Sequence, residues 1–483
     1  MSDVAQLLLP AIRWDPERGF DAAREDIERA LALGVGGFIL FGGEQEAVRA
    51  LTKELRQRSR VPLLIAADLE RGAGQQFAGA TGLPPLAAIA SLGDIDAIRR
   101  AARLTAREAR TMGVNWAYAP VVDLDLLPEN PIIGSRSLGA DPRRVASLGA
   151  AWIESCQSEG VLACAKHFPG HGRTHVDSHI ALPVVDATKQ ELFESDLVPF
   201  EAAIRAGVAS IMTAHVAYPA LDPTGAPATM SREMLRWLLR QQLKYDRLVV
   251  TDALIMEGAL DGRSEGEAAV QAINAGCDLV LYPKDLAGVA QALERALHSH
   301  ELDAERVERS ARRRLKWAGW ASPPNEYRKP SAADIAWGAQ LADRVVHVVR
   351  GAAPRLASAL DVLIIDDDLG GPFPAPSRDP FLDALRAGGH DVRRVEAPRS
   401  EAGRTLVVAL FGEIRSWKGR AGYSDATRQA VERACAEVTD ALVMQFGHPR
   451  LAAEIPAART VVSAWGGELA MQQAAARWLL RAR

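Results

Sequence analysis

Four histidines recur at intervals of four in the run Lys166-His-Phe-Pro-Gly-His-Gly-Arg-Thr-His-Val-Asp-Ser-His179. On a helix, His167, His171, His175 and His179 would line one face and could ligate zinc. Pro169, Gly170 and Gly172 speak against a helix there. The run is expected instead to form a long loop, its glycines and prolines setting tight turns and letting backbone approach a ligand closely. Within it, Asp177 and His179 stand two residues apart, so in an extended stretch both point the same way and the carboxylate can hydrogen-bond the ring. A carboxylate at one ring nitrogen fixes the tautomer and favours the imidazolium, which makes a group that donates and takes back a proton near neutral pH. A second carboxylate, Asp252, closes the apolar run Leu248-Val-Val-Thr251. In that place it is either an anion serving as nucleophile or stabilising positive charge, or an N-cap for the helix that follows. Asp68-Leu-Glu-Arg-Gly-Ala-Gly74 and Asp123-Leu-Asp125 supply further carboxylates, and Asn130-Pro-Ile-Ile-Gly-Ser-Arg136 a cation. Carboxylates interspersed with Arg and Lys suit a ligand dense in hydroxyls. Trp116, Tyr118 and Trp152 could stack on a sugar ring, although their positions fit core packing better.

Each of these segments follows a short apolar run. Such runs at 7–9, 37–41, 62–66, 114–122, 161–165, 210–213, 248–251 and 278–282 alternate with segments that carry apolar residues at helical spacing, among them 22–33, 46–58, 95–112, 142–159 and 191–206. Nearly continuous apolar runs mark strands covered on both faces, as in a parallel sheet. Eight of them over this length predict an α/β fold, a (β/α)8 TIM-type barrel whose chemistry sits where strands end. An open doubly wound sheet matches less well, because no G-x-G-x-x-G follows the first run. A basic helix over 304–317 ends the pattern. The expected division is therefore a catalytic barrel over 1–321, a Pro-rich linker over 322–330, and a smaller α/β sandwich-like domain over 331–483 with strands near 345–349, 362–365, 406–411, 441–446 and 460–464. The triple acid Asp366-Asp367-Asp368 reads as a solvated strand-end loop in preference to a cation site.

Composition removes several classes of function. An apolar fraction of 48% with 24% charged residues is that of a globular protein and excludes disorder. Lys and Arg number 57 against 61 Asp and Glu, a net charge of −4 with no basic run, so no nucleic-acid partner is expected. No stretch approaches the ~20 apolar residues of a membrane span, and the first residues lack a signal-like pattern, so a cytoplasmic protein without a membrane partner is expected. Cys156, Cys164, Cys277 and Cys435 lie far apart without a C-x-x-C, against a disulfide framework or structural zinc. No metal and no cofactor are expected, and a small carbohydrate is the expected partner.

Together these motifs resemble glycoside hydrolase family 3, in its β-N-acetylglucosaminidase branch. That branch reads Lys-His-Phe/Ile-Pro-Gly-His/Leu-Gly, four residues, then Asp-x-His, which 166–172, Asp177 and His179 match in full. Ala119-Pro-Val-Val-Asp123, Met212-Thr-Ala-His215, Ala228-Thr-Met-Ser231 and Thr251-Asp252-Ala-Leu add support, and Val443-Met-Gln-Phe-Gly-His-Pro449 matches the family's C-terminal domain more weakly. The resemblance implies Asp252 as nucleophile, His179 as general acid/base with Asp177 as its partner, and Asp68, Arg136, Lys166 and His167 as residues that grip the hydroxyls of a terminal sugar. It implies a retaining, exo-acting β-N-acetylglucosaminidase on peptidoglycan fragments. One segment departs from the family's Asp-x-Glu-Gly-Gly-x-Val-x-Arg-Phe: Arg71 replaces a glycine and Gln76 an arginine that contacts sugar. Loss of that charged fork removes about 1–3 kcal/mol of ligand contact where the bond is buried. Competing expectations are a phosphorylase or β-glucosidase of the same family, a weakly active sugar-binding protein, and a metal-dependent hydrolase using the four histidines.

Overall fold

Pro10 follows the first apolar run. Having no N–H to give a ladder, it separates the strand of that run, Leu8–Leu9 (β1), from a further strand at Ala11–Arg13 (β2). In the computed structural model, which describes residues 3–321, 330–352, 356–369 and 375–481, strands follow at Gly37–Phe41 (β3), Leu64–Ala67 (β4), Trp116–Ala117 (β5), Leu162–Phe168 (β6), Ser210–Thr213 (β7), Leu248–Ala253 (β8) and Leu279–Leu281 (β9). Neighbours pair in parallel from β2 through to β9 in chain order. β9 then bonds back to β1 through Leu8↔Val280 and Leu9↔Leu281, so the sheet closes around eight strand positions, with β1 and β2 sharing one. Every residue of β4, β6, β7 and β9 is buried, which is why the runs read as continuous. The expected strand over 114–122 is shorter, because Pro120 gives the ladder no amide; pairing resumes only as a bridge between Val121 and Lys166. Trp116, Tyr118 and Trp152 are core residues, and the Trp116 Nε1–H donates to Ser210 Oγ at 2.7 Å.

The helix Ala304–Trp320 closes the floor of the barrel. From it the fully buried Arg314 reaches the Pro62 carbonyl at 2.5 Å, the Gly36 carbonyl at 3.2 Å and Gln6 Oε1 at 2.7 Å. This end thus lies opposite the strand ends at which the chemistry is expected.

The chain folds into two compact units. The first comprises Met1–Thr81, Ile95–Leu126 and Ser137–Ser331, and the second Gly82–Asp94, Leu127–Arg136 and Ala332–Arg483. Two short pieces of the segment expected to be wholly barrel therefore belong to the second unit; the helix Leu86–Ser91 gives it a core residue, Ala88. Of the expected linker, 322–329 lies outside the described residues. The second unit holds strands His347–Arg350 (β10), Ala359–Asp366 (β11), Asp391–Val395 (β12), Arg404–Phe411 (β13), Leu442–Phe446 (β14) and Thr460–Ser463 (β15) in the order β10-β15-β14-β13-β11-β12. Only β10 is antiparallel. One sheet face packs the helices Ala332–Val345, Asp379–Ala387 and Leu469–Arg481, the other Asp425–Glu437, a three-layer α/β sandwich. The triple acid is not a solvated loop: Asp367 and Asp368 are buried, with the Lys418 Nζ at 3.1 and 3.7 Å, and Arg378 bridges Asp366 and Asp368. Among the described residues, no helix is long and apolar enough to cross a membrane.

Arg314→Met would remove the donor common to these three acceptors, of which the Gly36 carbonyl keeps the Leu64 N–H, at about 1–3 kcal/mol for an acceptor left unsatisfied. We expect the urea midpoint of the barrel to fall by an amount equal to about 1–3 kcal/mol; an unchanged midpoint would show that the floor does not depend on this side chain.

Candidate active site

Asp252 stands at the end of β8, where its side chain is 17% exposed. It does not cap a helix: the next helical turn, Glu257–Leu260, starts five residues later, with Met256 at its N-cap. Instead the Ala253 N–H donates to Oδ1 at 2.7 Å, and the His167 Nε2 lies 3.7 Å from Oδ2. Burial alone would push this carboxyl up. The imidazoles of His167, His215 and His179, with the Ala253 N–H, outweigh burial and hold it at about 2. It is therefore an anion at any ordinary pH, held at the mouth of the barrel.

His167 ends one link of a buried chain. Its Nδ1 is 2.7 Å from Asp123 Oδ2, and its backbone N–H also donates to Asp123, at 3.0 Å. The His171 N–H adds a third bond to Asp123 at 2.7 Å. Burial opposes the charge on Asp123, but His167 and these donors keep its carboxyl below the usual range. A carboxylate only accepts, so His167 presents Nδ1–H to Asp123, and it stabilises the Asp252 anion through Nε2 only when that nitrogen carries a proton too. His215, from the loop after β7, approaches from another side. Its Nε2–H donates to the Ala253 carbonyl at 3.2 Å and its Nδ1 faces Thr229 Oγ1 at 2.8 Å. Burial pushes the ring's pKa down.

The loop after β6 carries Asp177 and His179, and it brings them together by a different route from the extended one expected. Asp177 Oδ1 accepts both the His179 backbone N–H at 2.9 Å and the ring Nδ1–H at 2.7 Å, while the Ile180 N–H returns to the Asp177 carbonyl at 2.9 Å. An aspartate bonding the amide two residues on makes an Asx turn. Asp177 is fully enclosed and His179 is 18% exposed at its side chain, with its Nδ1 committed to the carboxylate. The histidines do not form a ladder. His171 turns to Thr174 Oγ1 at 2.8 Å and Ser178 Oγ at 2.9 Å, burial and the neighbouring His167 push it down to about 4, and His175 is exposed. Among the described residues no group of three or more His, Cys, Asp or Glu is arranged to hold a metal. Gly172 serves packing and not a ligand, since a Cβ there would meet the Leu124 carbonyl.

Lys166, 2% exposed, bridges Asp68 at 2.9 Å and Glu70 at 2.7 Å beside His167. Burial pushes the Tyr118 hydroxyl well up, and Cys164, Asp68 and Asp252 add to the effect, so the rims after β4 and β8 share this ring. Asp252, His167, Lys166, Asp68 and the Asp177–His179 pair are thus gathered in one unit. Arg136 falls outside it: it ends the turn Gly134–Arg136, bonds back to the Ile132 carbonyl at 3.4 Å, and belongs to the second unit. Gln76 Oε1 accepts the Gly42 N–H at 3.3 Å, so it tethers the loop after β3. Sequence reasoning counted Asp123 and the segment of Glu70 only among carboxylates suited to a hydroxyl-rich ligand, and gave His215 no individual role; Asp123 closing an apolar run and Glu70 two residues from Asp68 were the available signals. A groove of about 650 Å³ lies elsewhere, lined by Ile12, Ile27 and Leu286 among others, and holds none of the charged groups described above.

Comparison with known proteins points the same way. The family model described as the glycosyl hydrolase family 3 N terminal domain matches residues 2–316. A beta-N-acetylglucosaminidase/beta-glucosidase of Cellulomonas fimi is 34% identical over 398 residues, 75% of this chain and 69% of that protein. A beta-hexosaminidase of Idiomarina loihiensis is 36% identical over 300 residues, 60% of this chain and 89% of that protein. Among solved structures, a glycoside hydrolase family 3 beta-N-acetylglucosaminidase from a Paenibacillus strain superposes with a TM-score of 0.84 and 27% identity, covering 99% of this chain and 96% of that one.

His167 contributes the strongest of the effects that hold Asp252 ionised. In a carboxyl-carbon NMR titration, His167→Ala should move the Asp252 titration upward from about 2 towards the ordinary carboxylate value of 3.8. A titration left in place would mean that other groups set it.

Proposed function

The chain belongs to glycosyl hydrolase family 3 and is a glycoside hydrolase; on that premise we propose that it is a retaining, exo-acting β-N-acetylglucosaminidase. The observation that carries the proposal is the pairing of an ionised carboxylate, Asp252, with a histidine whose Nδ1 is already taken by Asp177. Asp252 attacks the anomeric carbon. The glycosidic bond breaks, its electron pair leaves with the aglycone oxygen, and His179 Nε2 supplies the proton to that oxygen. A covalent glycosyl-enzyme results. Water then attacks the same carbon while His179 takes the water proton, and the Asp252 carboxylate is restored with the sugar's β configuration. Two inversions at one carbon account for retention.

Lys166, held between Asp68 and Glu70, offers a charged donor and two acceptors to the hydroxyls of a chain-terminal sugar, in keeping with exo action. His167 contributes its position next to the anion. The sugar would be the N-acetylglucosaminyl end of a cell-wall fragment, a substrate class carried over from the family resemblance. A second reading is favoured by the histidine itself: unlike a carboxylate, a neutral imidazole does not repel an anionic acceptor, so phosphate could replace water in the second displacement.

Nitrophenyl β-N-acetylglucosaminide should be cleaved in preference to nitrophenyl β-glucoside. Asp252→Asn should lower kcat by several orders of magnitude, and His179→Ala should lower kcat/KM by about 10²–10⁴. Full activity in either variant would overturn these roles. With Asp252 held at about 2, the nucleophile stays ionised through the working range, so it adds no acid limb to the pH profile of kcat/KM. Adding phosphate should leave rate and product unchanged; accumulation of N-acetylglucosamine 1-phosphate would make the protein a phosphorylase instead.

A further inference from the structure

We infer that Gly258 is a positioning residue, whose lack of a side chain lets the turn behind the nucleophile clamp the loop that carries the acid/base. The inference rests on the reading of His179 as that acid/base. Gly258 is the second residue of the helical turn Glu257–Leu260, and the first amides of a helix have no partner within it. Here they are spent on the other loop. The Gly258 N–H donates to the Ser178 carbonyl at 3.0 Å, and the Glu257 N–H faces the His179 carbonyl at a longer 3.5 Å. The two residues bearing the proton-transfer group are thus hung on the turn that begins five residues after Asp252.

Three backbone carbonyls converge on this one glycine. A Cβ at 258 would stand 2.8 Å from Ser178 O, 3.0 Å from His215 O and 3.2 Å from Ala181 O. These oxygens come from the loops after β6 and β7, and they are backbone, so no side-chain rotation relieves them. The same two loops are laced together nearby: the Ala217 N–H donates to the Pro183 carbonyl and the Val185 N–H to the Ala217 carbonyl, both at 2.9 Å. The glycine is therefore required by a close approach and not by its own conformation, since it lies in a helical turn where alanine is the better former by about 1 kcal/mol. Val176, Ile180 and Val184 are 42%, 47% and 55% exposed, so the outer edge of the clamped loop is held by hydrogen bonds more than by apolar burial.

A side chain at 258 pushes Ser178 and His179 off the turn while Asp252, on its strand, stays in place. Misplacement of a catalytic group by about 1 Å can cost about a hundredfold. That cost falls on substrates whose leaving group needs a proton. Glycosides of 2,4-dinitrophenol leave without one, so kcat/KM for them reports the nucleophile alone. In Gly258→Ala, kcat/KM for 4-methoxyphenyl β-N-acetylglucosaminide should fall about a hundredfold, while that for the 2,4-dinitrophenyl glycoside stays near wild type. Equal losses on both, or no loss on the first, would overturn the inference. His179→Ala measured alongside should show the same leaving-group dependence. If His179→Ala lacks it, the acid assignment has failed; if only Gly258→Ala lacks it, the clamp has failed. Should Gly258→Ala not fold, Glu257→Pro carries the test. Proline is tolerated at a first helical position and deletes only the amide facing His179 O, so the same selective loss is expected in smaller degree, and a uniform loss or none contradicts the clamp.

Discussion

An anion at the mouth of a closed, apolar barrel is costly unless its surroundings are organised for it. Asp252 sets that requirement, and a sequence of buried contacts meets it. Its charge depends on His167 at 3.7 Å, and His167 can present Nε2 because Asp123 takes Nδ1. Asp123 in turn stays ionised at full burial because two backbone amides and a ring nitrogen converge on it. Each member compensates the one before. The chain runs inward until it ends on the backbone N–H groups of His167, in β6, and of His171, just beyond it, which cannot be titrated. The surroundings of Asp252 and of the Asp177–His179 pair therefore depend on one stretch of polypeptide.

The barrel was legible because its strands are covered on both faces and so read as unbroken apolar runs. Where that logic weakens, the reading weakens with it. The run over 114–122 looked like one long strand, but Pro120 cannot bond to a neighbour and only Trp116–Ala117 remains. In the second unit the edge strand Asp391–Val395 sets Arg393 and Arg394 between two valines, too few apolar residues to read as a run. It pairs in parallel with β11 over five residues, and Arg393 bonds Asp361 on that strand at 2.9 and 2.6 Å. The short pieces 82–94 and 127–136 join the second unit through packing that no local pattern encodes.

At the site, the residues proposed to do chemistry were legible and those that hold them were not. Asp252 and the Asp177–His179 pair stand out because type and spacing are both unusual. The pairing itself was expected from extended geometry and arises from an Asx turn, two ways of bringing i and i+2 together that the sequence does not distinguish. Asp123 and His215 act through other groups. Gly258 is further removed still, for a glycine needed by three incoming carbonyls looks in sequence like any other glycine. The departures at Arg71 and Gln76 acquire a partial physical sense: the Gln76 amide accepts a backbone N–H from the neighbouring loop, a contact that a guanidinium cannot make.

The central claim is that Asp252 becomes covalently bonded to the sugar. A 5-fluoro-N-acetylglucosaminyl fluoride, which slows the second displacement more than the first, would let that species accumulate for mass spectrometry of the intact and protease-digested protein. The account predicts one added glycosyl unit, found on the peptide that contains Asp252. Turnover with no adduct under these conditions, or an adduct on any other residue, would contradict it.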